Sequence, residues 1–260
     1  MNASFLLAGL GLLSAPALAQ GGKPGPFPRP GFHPQDHLMT VPASPSELAE
    51  GKRRLDSVIA AHGGEAFLKL SSVTFTGKGE ASLPGAGEIA FESVKLTYAM
   101  PDRVRLDSVS AFGTISQVSP GRGKKPFMVM AGQVQDAPVD FRIPDPTAIL
   151  REVVERNLAV RPVSDRQMPG FELPDEAGKP TTTLYFDAEK KLVRRIVLKN
   201  KQGELTVSLD AYKTTKGVSL PGKLAVFQGK DPLLSLTFSK AVVNPTLAES
   251  FFDPPKNSSK

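Results

Sequence analysis

The chain has 260 residues, 40% of them hydrophobic, and a net charge of +6 from 32 Lys and Arg against 26 Asp and Glu. That length supplies one or two domains with a real core, and the modest positive balance suits either solubility or an anionic membrane surface. Cysteine is absent, which excludes disulfides, thiolate zinc sites and cysteine nucleophiles together.

Residues 1–19 read as a secretory signal peptide. Phe5 to Leu13 is an apolar run too short to span a bilayer, and Ala17-Leu18-Ala19 supplies the small residues that a signal peptidase requires. No Lys or Arg precedes the run, so the charged n-region is weak. No Cys follows the cleavage point, which excludes lipidation there. Residues 20–43 are rich in Gly and Pro. Pro removes backbone donors and Gly raises the entropy cost of ordering, so this stretch is expected to be a flexible linker.

The folded part is expected to span residues 44–255, with a polar tail at 256–260. Ser44-Pro45-Ser46-Glu47 is a helix start: Ser44 can cap, Pro45 suits the first helical position, and Glu47 can close a capping box. Leu48, Leu55, Val58 and Ile59 form its apolar stripe, and Gly63-Gly64 ends it. His62 is expected to contact the helix C-terminus, with a catalytic role as the alternative. Glu65 to Leu70 adds a short second helical turn.

Strands follow. Val73 to Ala81 sets Val73 and Phe75 against Thr74, Thr76 and Lys78. Glu88 to Tyr98 starts with Ile89 and Phe91 in phase and then shifts to Val94, Leu96 and Tyr98. A phase change inside one strand predicts a β-bulge near Glu92-Ser93, which bends a sheet. Arg103 to Val109 carries Val104 and Leu106 inward, and Phe112 to Val118 is a weaker strand. Arg122 to Lys125 is a basic loop. Phe127 to Ala131 is apolar without alternation, and Phe127, Met128 and Met130 are either core or ligand contacts. Asp145-Pro146 opens a further helix, with Ile149, Leu150, Val153, Val154 and Leu158 on its apolar face. Pro162 to Pro180 reads as a long irregular loop, a candidate lid.

Thr181 to Val243 is a meander, and its last three segments alternate most cleanly. Leu205, Val207, Leu209 and Ala211 share one face. Val218, Leu220, Leu224 and Val226 repeat the pattern, as do Leu234, Leu236, Phe238 and Val242. A period of two puts alternate side chains on opposite faces of a sheet, so one face must be covered and the other can meet water. Leu247, Phe251 and Phe252 are expected to dock a short C-terminal segment. Helices inserted among antiparallel strands, with apolar stripes free to pack on one face, give an α+β fold. The expectation is a curved antiparallel β-sheet forming an open half-barrel, with helices packed in its concave face.

Catalytic constellations are missing. There is no P-loop, dinucleotide fingerprint or nucleophile elbow. His33 and His37 are four apart, but the prolines around them break any local helix, so no metal site is expected. The acidic residues, such as Asp187, Asp210 and Asp231, fall in turns or on solvent-facing positions. Basic residues alternate with acids and tryptophan is absent, which leaves little platform for nucleic acid. No enzyme, no cofactor and no nucleic-acid partner is expected.

A set of short motifs carries a family resemblance. They are Ala60-Ala61-His62-Gly63-Gly64, a strand ending in Thr76-Gly77, and Pro101-Asp102-Arg103-Val104-Arg105. Further on come Leu184-Tyr185-Phe186-Asp187 with Leu192-Val193-Arg194-Arg195-Ile196, then Gly217-Val218-Ser219-Leu220-Pro221. Val243-Asn244-Pro245 with Phe251-Phe252 closes the set. In this order and spacing the chain, over roughly Leu48 to Pro255, resembles bacterial outer-membrane lipoprotein-sorting proteins, the Lol-type periplasmic carriers. The resemblance implies an unclosed β-barrel wrapped around helices, with an apolar cavity that shields acyl chains in the periplasm. Two positions depart from the family. Met100 stands where the carriers often have a basic residue tied to cargo transfer, and Phe127-Met128-Val129 replaces a segment that often includes Trp.

Two functions remain open. One is a periplasmic, monomeric carrier or chaperone for lipid or acylated protein. Its candidate cavity wall is Phe75, Phe91, Leu96, Tyr98, Leu106, Phe186, Leu209, Val226, Leu236 and Phe238, each of which could equally pack on the helices. The other is a sensor or interaction module of the same fold, docking an envelope membrane protein without catalysis.

Overall fold

The computed structural model describes residues 43–83, 87–121, 123–137, 143–165, 168–174, 180–200 and 203–255. The expected signal peptide, nearly all of the linker, His33, His37 and the polar tail lie outside them.

Helix α1 (Pro45–His62) begins as its sequence dictates. The Ser44 hydroxyl accepts from the Glu47 amide at 3.2 Å, and the Glu47 carboxylate accepts from the Ser44 amide at 2.7 Å. Gly51, Leu55, Val58, Ile59 and His62 form the buried face. Leu48, expected on that face, is instead exposed, because the helix seats on the sheet only from its second turn onward. Gly51 permits the seating: a Cβ there would stand 2.0 Å from the Val160 carbonyl oxygen. A short helix, α2 (Glu65–Leu68), follows.

Six strands then form a meander: β1 (Ser72–Leu83), β2 (Gly87–Ala99), β3 (Arg103–Ser110), β4 (Gly113–Ser119), β5 (Phe127–Met130) and β6 (Gln133–Asp136). Helix α3 (Pro146–Glu155) carries the chain away from β6 to the opposite edge of the sheet. There β7 (Arg161–Asp165), β8 (Met168–Pro174), β9 (Pro180–Phe186), β10 (Val193–Asn200) and β11 (Gly203–Asp210) build a second meander. A small separate hairpin, β12 (Lys213–Thr215) and β13 (Val218–Leu220), precedes β14 (Lys223–Gln228) and β15 (Asp231–Val243).

All the pairings are antiparallel, and the 13-stranded sheet runs β6-β5-β4-β3-β2-β1-β15-β14-β11-β10-β9-β8-β7. The two meanders meet where β1 pairs with β15, and the outermost strands β6 and β7 do not pair, so the sheet is an open half-barrel. Its bends sit at irregular registers. On β2 the register to β3 shifts between Phe91 and Ser93, where the phase change in the sequence predicts a bulge. Ile89, Phe91, Val94, Leu96 and Tyr98 thereby all face the core.

Four readings of the sequence change here. Pro162 to Pro180 is no irregular loop, since it contains β7 and β8. Val218 to Phe227 is two strands, broken at Pro221-Gly222. The register of β15 to β1 skips Ser239; this second bulge turns Val243 inward in place of Val242. On α3, Leu150 and Val153 are buried but Val154 is exposed, because the apolar stripe is wider than the surface the helix covers.

Candidate functional site

The concave face is one continuous apolar wall contributed by both meanders. Phe75, Phe91, Leu96, Tyr98, Leu106, Phe186, Leu209, Val226, Leu236 and Phe238 all belong to it, and none is more than 5% exposed. The same cluster takes in Leu55, Val58 and Ile59 of α1, Phe67 of α2, and Leu150 and Val153 of α3. The candidate wall is therefore in contact with a helical cover rather than with open solvent. Phe127, a further candidate contact, lies elsewhere: it packs with Ala99, Val118 and Phe252 in a separate cluster.

Few polar bonds hold the cover. Arg54 Nη1 of α1 donates to the carbonyls of Val163 at 2.5 Å and Gly170 at 2.9 Å. Arg151 Nη1 of α3 donates to the Leu70 carbonyl at 2.9 Å. Leu55, Val58, Ile59, Phe67, Leu150 and Val153 add apolar burial.

A cavity of about 10 Å³ lies between helices and sheet, with room for about one water-sized group. Phe75, Leu96, Tyr98, Leu209 and Phe238 line it, which is half of the candidate wall, together with Phe67, Pro146, Leu220, Pro221 and Leu224. His62, Asp145, Thr147 and Ser219 bring a few polar groups to this mainly apolar lining. No Lys or Arg lines it.

His62 comes to the cavity from the C-terminus of α1, and Asp145 and Thr147 from the N-terminus of α3. Asp145 caps α3, accepting from the amides of Thr147 at 3.0 Å and Ala148 at 3.3 Å. Burial pushes its carboxyl up to about 6, and those backbone bonds pull it partly back. His62 is only 1% exposed. Its Nδ1 lies 2.9 Å from the Val58 carbonyl oxygen. A carbonyl can only accept, so Nδ1 carries the proton and Nε2 presents a lone pair. Burial lowers the His62 pKa, so the ring sits there neutral. It does contact the end of its helix, as expected, but through this hydrogen bond and not as a cation. The Tyr98 hydroxyl is pushed well above its ordinary range by burial, with the negative charge of Asp145 adding to the effect. Among the described residues, neither Tyr98 Oη nor His62 Nε2 has a hydrogen-bond partner.

Of this polar group the sequence singled out Tyr98 as a wall residue and His62 and Asp145 as helix-end residues. Nothing along the chain announces that 83 residues separate two groups meeting at one cavity. The only available signal was that both fall at helix termini, where polar side chains commonly satisfy backbone groups.

The outer face carries a second cover. The segment after β15 ends in a 3-10 turn, Glu249–Phe252. Arg105 Nη1 donates to the Phe251 carbonyl at 2.8 Å, and the Arg105 guanidinium stacks on the Phe251 ring at 4.9 Å. Arg103 stacks on Phe252 at 4.9 Å. This docking follows the expectation for Leu247, Phe251 and Phe252.

No helix among the described residues is long and apolar enough to cross a membrane. Among the same residues, no group of three His, Asp or Glu side chains is placed to hold a metal ion.

No family model matches the chain, and no curated protein does. Solved structures do match in fold. An outer membrane lipoprotein-sorting protein domain from Vibrio parahaemolyticus superposes with a TM-score of 0.51 at 9% identity, over 79% of this chain and 97% of its own. A LolA superfamily protein from Nitrosomonas europaea gives 0.51 at 11% identity, over 78% and 96%. A DUF1329 family protein from Desulfovibrio piger gives 0.50 at 10% identity, over 78% and 97%. The half-barrel is thus the fold of lipoprotein-sorting domains, as the sequence motifs led us to expect.

Proposed function

We propose that this protein is an exported envelope carrier or chaperone that binds lipid or lipoprotein acyl chains against the concave wall of its half-barrel, without catalysis. The observation that carries this reading is the pairing of an uninterrupted apolar wall with a cover that is apolar, helical and tied by few polar bonds. The likeness in fold to lipoprotein-sorting domains supports it, as does the signal-like segment at residues 1–19.

The cavity of about 10 Å³ between helices and sheet cannot hold an acyl chain, so cargo that reaches this part of the wall replaces helix side chains. The energies permit that exchange. Burying about fifteen methylenes contributes about 12 kcal/mol. Releasing Leu55, Val58, Ile59, Leu150 and Val153 from the wall costs about 10 kcal/mol at about 2 kcal/mol each. Loading is then close to balanced, which is what a carrier that must also unload requires.

A second reading, docking of an envelope partner by the rim, is favoured by Phe112, which is 62% exposed at the β3–β4 turn. One experiment separates the two. The protein is purified from its host, its lipids are extracted and identified by mass spectrometry, and Arg54→Ala is compared. The carrier reading predicts co-purifying acyl lipid and faster uptake of an apolar fluorescent probe by Arg54→Ala. A folded protein that carries no acyl lipid and takes up no probe, in either form, would sink it.

A further inference from the structure

We propose that the polar end of the cavity recognises a neutral hydroxyl group on an otherwise apolar ligand, so that the protein selects alcohols and hydroxylated lipids over acids, phosphates and amines. This inference rests on the acyl-binding reading above for the apolar part of the ligand and adds the chemistry of its polar end.

The donor and acceptor pattern argues for it. His62 and Tyr98 line the same cavity, and both are almost wholly buried. Each keeps one polar atom unpartnered among the described residues, Nε2 and Oη. With Nδ1–H committed to the Val58 carbonyl, Nε2 offers a lone pair, while Tyr98 offers an O–H. A hydroxyl is the smallest group that donates to the first and accepts from the second. Buried polar atoms left unpaired are costly, so a ligand that satisfies both is favoured over one that satisfies neither.

Charge and size exclude the alternatives. A carboxylate or phosphate would be buried beside Asp145 with no Lys or Arg on the lining, an unpaired charge in a low-dielectric site. An ammonium has no lone pair to accept from Tyr98. Asp145 itself is engaged by the amides of Thr147 and Ala148, which offset its charge at the start of α3. The space of about 10 Å³ takes about one oxygen-sized group. Around it Phe75, Leu96, Leu209 and Phe238 continue as the apolar wall that the rest of the ligand would follow.

The test uses the full chain with N-phenyl-1-naphthylamine bound as a fluorescent apolar probe at about pH 8, where His62 is neutral. The probe is displaced by 1-dodecanol, methyl dodecyl ether, dodecanoic acid and dodecylamine. The expected result is displacement by 1-dodecanol at a concentration about tenfold below that of the ether, the acid or the amine. In Tyr98→Phe, which keeps the ring, the ratio between alcohol and ether should fall toward one. If the probe binds but the wild type treats alcohol and ether alike, the hydroxyl site is refuted and the acyl-binding reading stands. If the acid or the amine is the best displacer, a charged head is recognised and the inference is wrong. If neither probe nor any of the four ligands binds, the acyl-binding reading itself fails, and the hydroxyl site fails with it. The wild-type ratio decides the matter even where the variant does not fold.

Discussion

The two faces of the sheet are covered with different proportions of apolar burial and directed contact. On the outer face the segment around Phe251 and Phe252 adds directed contacts to the burial of Phe252: a guanidinium over each ring and a hydrogen bond from Arg105 to the Phe251 carbonyl. On the concave face α1, α2 and α3 are held mainly by burial of Leu55, Val58, Ile59, Phe67, Leu150 and Val153. Directed contacts accept one partner in one geometry. Apolar burial is non-directional and scales with area removed from water, so any oily group of similar area can take its place. The outer cover is a fastening, and the inner one is a placeholder.

That contrast breaks first at the inner cover. Leu150→Ala removes a fully buried side chain of α3 and should cost about 3–4 kcal/mol in urea unfolding of the empty protein. With lipid bound, the same substitution should cost less than about 1 kcal/mol, because the side chain has already left the wall. An equal loss in both states would mean that the helices never lift.

Asp145→Asn probes the polar end of the same cover. The carboxyl of Asp145 is raised to about 6, above its value of about 3.9 in an unfolded chain. Between those values the folded state holds the proton and the unfolded state does not, so folding stability falls as pH rises from about 4 to about 6. The loss, up to about 3 kcal/mol, is complete above that window. Asn keeps the helix cap and cannot ionise, so thermal melts of the variant should lose this slope. His62 works in the opposite sense. Its pKa is lowered by burial, so its contribution is present above the ordinary histidine range and is lost as pH falls below it. A slope that survives in Asp145→Asn would assign the effect to other carboxylates.

Arg105→Ala tests the outer fastening. It removes a hydrogen bond, a cation–π contact and the ion pair with Asp107, for an expected loss of about 2 kcal/mol. Proteolysis near residues 245–255 should become faster, while uptake of an apolar probe on the other face is unaltered. The smallest effect belongs to the water-facing side of α1. Lys52 and Asp56 form an exposed i,i+4 pair at 2.8 Å, so Lys52→Ala should change stability by less than about 0.5 kcal/mol.

The same contrast governs what the sequence revealed. Period-two alternation exposed β11, β14 and much of β15, and the shift from Phe91 to Val94 marked the bulge on β2. Ser44 and Asp145 announced their helices because capping is a local bond. Strands β7 and β8 were hidden because Pro162, Pro169 and Pro174 interrupt the pattern. Proline is tolerated at an edge or an irregular register: Pro162 lies on the edge strand β7, and Pro174 at the register shift between β8 and β9. The ten wall residues were legible as one apolar face and the helices' apolar stripes as its cover, yet nothing local told how completely α1 and α3 would fill it. The meeting of His62 with Asp145 was not legible either, since it depends on α3 crossing between the two edges of the sheet.

Hydrogen exchange measured with and without a bound acyl lipid tests the central claim most directly. If the inner cover is a placeholder, amides of α1 and α3 exchange faster in the loaded protein, while those of β1, β2 and β15 keep their protection. Loading that leaves the helices unchanged or slows their exchange would contradict the account, because the oil would then lie somewhere other than against the concave wall.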